Sequence, residues 1–159
     1  MSANPSCGHT QQWFRFESPS SSRRKVFVLY TGVRETIDAL RSATRFAAGL
    51  DLRVEVVVLR VVPYPLPIDK PPASPSIVIS RFKELVESAG IDSTIRVYLC
   101  RNRREALTAV LPAGSTVVIG QRERWWPTSY GRLARWLRDS GQQVIFAEPL
   151  QMELQECSV

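Results

Sequence analysis

The residues that could do chemistry in this chain are few. Cys7 and His9 stand two apart in a polar terminus, the only spacing that suggests a metal ligand pair, and His9 is the only histidine. Between residues 24 and 148 there is no histidine to act as a base for a nucleophile. Cys100 stands beside Arg101, Arg103 and Arg104, a setting that can lower a thiol pKa, although a buried structural thiol fits the apolar run before it better. Asp38 and the pair Glu84 and Glu87 fall at helical spacings and read as surface charges. No phosphate loop, dinucleotide fingerprint or metal motif is present, so no catalytic residue and no metal ligand is assigned. What remains is a basic cluster, Arg122, Arg124, Arg132, Arg135 and Arg138, and two loops, Thr31-Gly32-Val33 and Gly120 to Gly131.

Those loops need elements to hold them. Lys25 to Tyr30 is a short apolar run that reads as a buried strand. A helix to about Leu50 should follow, burying Ile37, Leu40, Ala43, Phe46, Ala47 and Leu50, with Arg34, Asp38, Arg41 and Arg45 turned away. Val54 to Val62 is a second strand, and five prolines between residues 63 and 72 then force a loop. A helix over Ser76 to Ala89 ends at Gly90, with Ile79, Phe82, Leu85, Val86 and Ala89 as its buried face. Thr94 to Cys100 is a strand, and Asn102 can cap a helix over Arg103 to Val110. Thr116 to Gly120 is a strand, Thr128 to Asp139 a helix, and Val144 to Ala147 the closing strand.

This alternation predicts a Rossmann-like three-layer α/β/α sandwich with a five-stranded parallel sheet. Ligands bind such sheets outside the carboxyl ends of the strands, at the topological switch point. The two loops lie there.

At this point the sequence resembles the universal stress protein family, a branch of the adenine-nucleotide α-hydrolase-like fold, over residues 24–148. The resemblance rests on the strand order, on Leu29-Tyr30-Thr31-Gly32, on Arg60-Val61-Val62-Pro63, and on Val117-Val118-Ile119-Gly120 followed by a basic loop. Gly131 leading a helix and the closing Val144-Ile145-Phe146 complete it. By family position it implies a nucleotide site at Thr31, Gly32, Gly120, Arg122, Gly131 and Arg132.

Nucleotide-binding members carry an Asp at the end of the first strand and a G-x-x-G, nine-residue, G-Ser/Thr pattern after the fourth. Glycines there let backbone amides approach phosphates, and a helix amino terminus favours anions. Here Thr31 holds the Asp position, Glu123 the second glycine, and Arg132 the Ser/Thr, in a loop two residues shorter. A carboxylate at Glu123 would repel a phosphate by about 4 kcal/mol at 4 Å and an effective dielectric of 20. Trp125, Trp126 and Pro127 would fill the pocket mouth. Thr31 is expected to cap the following helix through its hydroxyl.

The expected function is therefore a non-enzymatic, dimeric stress-response or regulatory module without a cofactor, acting on a protein or small ligand. Alternatives are an ATP binder or slow ATPase using the arginines, and a nucleic-acid-associated basic module using Trp125-Trp126 beside Arg122 and Arg124. The resemblance implies dimerisation through Val144–Ala147, antiparallel about a two-fold axis; the competing expectation is that Trp13, Phe14 and Phe16 cover that edge.

Composition bounds the rest. The chain of 159 residues is 44% hydrophobic and 23% charged, which is ordinary for one globular domain. A net charge of +6 favours anionic partners. No apolar run is long enough to span a bilayer, and three widely spaced cysteines argue for thiols in a cytoplasm rather than disulfides. Residues 1–23 are expected to be a flexible arm and 149–159 a polar tail.

Overall fold

The computed structural model describes residues 11–14, 24–68, 75–88, 90–120 and 129–147. In chain order the elements are β1 (Gln11–Phe14), β2 (Lys25–Leu29), α1 (Val33–Ala48), β3 (Arg53–Val61), α2 (Pro75–Ser88), β4 (Thr94–Cys100), α3 (Arg103–Val110), β5 (Thr116–Gly120), α4 (Ser129–Asp139) and β6 (Gln143–Ala147). The sheet order is β1-β4-β3-β2-β5-β6. The five expected strands are parallel, with ladders such as Val28↔Val56 and Val28↔Val118. The sixth strand is an addition to the expected sheet: Gln11–Phe14 pairs antiparallel with β4, its register slipping between Gln12 and Phe14. Part of the supposed arm thus completes the ladder of an otherwise open edge. It does so at the opposite edge from β6, so β1 does not cover the closing strand.

Alternation along the strands divides the core into two layers. Val26 and Val28, Val54, Val56 and Val58 pack with Ala39, Leu40, Ala43 and Ala47 of α1 and with Phe82 and Val86 of α2. Phe27, Leu29 and Val57 pack with Leu107 of α3 and Leu133, Ala134 and Leu137 of α4. Helices α1 and α2 carry the chain toward one edge, α3 and α4 toward the other, so the order reverses between β2 and β5. That gap is the switch point.

The contact stripe of α1 runs through Thr36, Ala39, Leu40, Ala43 and Ala47. Phe46 and Leu50, expected in the core, are 41% and 59% exposed. The reason is geometric: the last turn overhangs the sheet near the strand starts, where the chain reverses through Asp51 at φ 50° to enter β3. Gly90 and Gly141 end α2 and α4 in the left-handed region, at φ 66° and 85°, where glycine carries no Cβ penalty. Asn102 caps α3 as expected, its Oδ1 accepting from Arg104 N at 2.9 Å.

Among the described residues Glu55 is the buried charged one, 3% exposed on the interior strand β3. Lys25 Nζ of β2 lies 3.0 Å from its Oε2, and Arg96 Nε of β4 lies 3.3 Å from its Oε1. A buried carboxylate is tolerable only with such partners. Nothing in the run VEVVVLRVV distinguishes this residue, because its partners come from two other strands.

Candidate functional site at the carboxyl ends of the strands

Thr31 follows β2 and Gly120 closes β5, on the two sides of the switch point. The Thr31 hydroxyl donates to the Gly120 carbonyl at 3.4 Å, linking the two strand ends directly. It does not cap α1, contrary to the expectation. The N-cap is Gly32, which has no side chain to offer, and Thr36 does the local bonding instead. The Thr36 hydroxyl accepts from Thr31 N at 3.2 Å and donates to the Gly32 carbonyl. Thr36 is fully buried, so its hydroxyl needs both bonds. The sequence reading missed it because a threonine inside an amphipathic helix looks like a filler.

Gly120 has a packing role that family position did not suggest. A Cβ there would overlap the Glu35 carbonyl group and stand 2.9 Å from Glu35 Cα. The first turn of α1 therefore crosses β5 at backbone distance, which only glycine permits. At Gly32 a Cβ would meet the Glu35 carboxylate, with Cδ at 3.3 Å, but that group ends a flexible side chain and can move.

Tyr30, the last residue before Thr31, packs edge-on against Phe82 of α2, with ring centroids 5.3 Å apart and planes at 79°. Burial pushes its phenol above the usual tyrosine range, opposed by Arg60 and aided by Tyr130 and Glu35. Arg101 binds the loop after β3: its Nη1 donates to Val62 and Pro63 carbonyls at 2.8 and 3.0 Å, and its Nη2 to the Leu66 carbonyl at 2.6 Å. Its guanidinium also lies 5.1 Å from the Tyr64 ring centroid, beside the cis Tyr64–Pro65 bond. It is thus committed to the loop. Cys100 is buried, and burial pushes its thiol up, Arg103 opposing only in part. The structure fits an unreactive thiol.

The other predicted site residues separate. Arg122, Glu123, Arg124, Trp125, Trp126 and Pro127 lie outside the described residues. Gly131 is the third residue of α4 rather than its leader, since the helix begins at Ser129. The arginine row of α4 does not converge on one place. Arg138 reaches β6, its guanidinium 5.2 Å from the Phe146 centroid and its Nη2 3.5 Å from the Val144 carbonyl. Arg132 instead lines an open cleft of about 400 Å³ with Asn102, Arg103, Arg104, Ser129 and Leu133. Thr31 and Gly120 are brought together by a direct hydrogen bond, and Arg132 lines the cleft with Arg103 and Arg104.

Among the described residues no group of three or more His, Cys, Asp or Glu could hold a metal ion, and no helix is long and apolar enough to cross a membrane.

No family model matches the chain, and no curated protein matches it. Among solved structures, a protein from the universal stress protein family from Burkholderia pseudomallei is similar at 19% identity and a TM-score of 0.46. The likeness covers 82% of this chain and 99% of that one.

Proposed function

We propose that the chain is a universal stress protein-like module that works without catalysis, as a homodimer paired through β6, by engaging a protein or small ligand. The observation that supports this reading is the Thr31–Gly120 hydrogen bond across the switch point. A carboxylate at that strand end would offer acceptors to a base's amino group; a threonine bonded to a neighbouring carbonyl does not. Gly120, which would open the phosphate cradle, is occupied by the first turn of α1. The domain also holds no histidine to serve as a base.

A second reading, an adenine-nucleotide binder or slow ATPase, is favoured by the arginines around α3 and α4. Thermal unfolding with and without millimolar Mg-ATP separates the two. The first reading expects no shift in midpoint, whereas a rise of several degrees, or nucleotide retained through purification, supports the second.

A further inference from the structure

We propose that the cleft at the amino-terminal ends of the strands binds a small amphipathic carboxylate, an alkyl or aryl acid whose charged head meets Arg24, Lys25 and Arg96. Strands β2 to β6 run parallel, so this cleft lies at the opposite end of the sheet from the Thr31–Gly120 crevice and does not depend on it. Its volume is about 820 Å³, within the range of small-molecule sites.

The cleft exists because α3 is short. That helix ends at Val110, and the chain turns through Pro112 and Gly114, at φ 72°, into β5. The strand starts beyond it form a floor that carries Lys25, Phe27, Glu55 and Arg96, with Arg24 directly before β2. In this lining three cations stand against one carboxylate, Glu55. Exposure decides which charge a ligand meets. The Glu55 side chain is 4% exposed, whereas those of Arg96 and Lys25 are 25% and 37% exposed. The carboxylate is committed inside the cluster, and the cleft keeps a positive excess. Lys25 and Arg96 already flank one carboxylate at 3.0 and 3.3 Å, which is the chemistry assigned to the ligand head.

Another part of the lining is apolar. Phe46 and Leu50, which the sheet leaves exposed, line the same cleft with Leu52. Covering such side chains with an alkyl chain or a ring removes apolar area from water. An inorganic anion would answer the charge and leave these side chains wet. A neutral hydrocarbon would cover them and leave the charge excess. An amphipathic carboxylate does both.

The test is an amide NMR titration of the full chain with octanoate at constant ionic strength, with acetate and 1-octanol as controls. Saturable shifts are expected at Lys25, Leu50, Gly114 and Ser115, with octanoate bound more tightly than either control. Affinity is expected to fall about threefold in Arg24→Gln, the scale of one exposed ion pair. A similar fall of about threefold is expected in Leu50→Gln, from lost apolar cover, and none in Arg135→Gln on α4. These three positions are exposed, and the amide spectra of the free variants check that the fold is kept. No saturation by about 10 mM octanoate overturns the proposal, as does either control binding as tightly as octanoate. Shifts centred on Thr31 and Gly120 instead, or affinity indifferent to both cleft substitutions, also overturn it. So does a cleft filled by a second copy, seen as concentration-dependent shifts at the same residues without octanoate.

Discussion

The backbone of Glu35 lies against the α-carbon of Gly120, so closely that a methyl group there would overlap the Glu35 carbonyl and stand 2.9 Å from its Cα. The obstacle is backbone, and a helix packed against β2, β3, β5 and β6 cannot retreat by moving one side chain. Gly120→Ala is expected to destabilise the domain by about 3 kcal/mol, at the upper end of overpacking costs. Urea unfolding followed by circular dichroism measures it. A loss below about 0.5 kcal/mol, the scale of a surface change, would mean that α1 does not press on β5 as described.

The buried ion pairs on β3 give a second prediction. Removing Glu55 leaves Lys25 and Arg96 without their shared counter-charge, Arg96 being three-quarters buried along its side chain. Glu55→Ala is expected to cost about 3–5 kcal/mol, the range for breaking a buried pair from one side. Replacing all three by apolar residues of similar volume is expected to cost much less, because no charge is then left stranded. Denaturant midpoints of the single and triple variants check both statements, and equal losses would contradict the argument.

These two residues also show where the sequence was legible. Strand and helix positions follow from period-2 and period-3.6 patterns, and Asn102 as a cap follows from local chemistry. The doubly wound order follows from alternation and crossover rules. Glu55, Thr36 and the packing role of Gly120 were not legible, because each is defined by a partner distant in sequence or by backbone approach. Phe46 and Leu50 misled for the complementary reason: periodicity gives a helix face but not where the sheet beneath it ends. The arginine row of α4 looked like one cluster because three-residue spacing is visible in sequence, whereas Arg132 and Arg138 answer to different neighbours, α3 and β6.

The Cys100 thiol makes stability depend on alkaline pH. Its folded pKa lies above the ordinary value of 9.0 because burial penalises the thiolate. A raised folded pKa means the contribution is complete below the unfolded pKa and declines as pH rises toward the folded one. Stability is therefore expected to fall from about pH 9 upward, and Cys100→Ala is expected to flatten that slope. Tyr30 and Tyr98, both raised from 10.0 chiefly by burial, add the same trend at higher pH. Unfolding midpoints between pH 7 and about 10.5 test this, with alkylation of the folded thiol expected to be slow throughout. Rapid alkylation of native protein at neutral pH would show that the thiol is neither sheltered nor raised.

The last prediction concerns assembly. Among the described residues, strand β6 sits at one edge of the sheet and is paired on one side only, with β5, while β1 covers the opposite edge. Its Val144, Ile145 and Phe146 are half-buried, so pairing with a second copy would join an unmet ladder to apolar surface. A two-fold axis would place β6 against itself, antiparallel. The structure adds a restraint that the sequence did not reveal. Arg138 lies over Phe146 and touches the Val144 carbonyl at 3.5 Å, putting a cation on the edge, and the two-fold would bring its counterpart close. Cations on edge strands oppose pairing. Light scattering at tens of micromolar is therefore expected to show a dimer that tightens in Arg138→Ala and at higher salt, where the repulsion is removed or screened. Ile145→Lys, which adds a second charge to the same strand, is expected to give a monomer. A monomer in the parent chain and in Arg138→Ala alike would rule out β6 as the dimer seam.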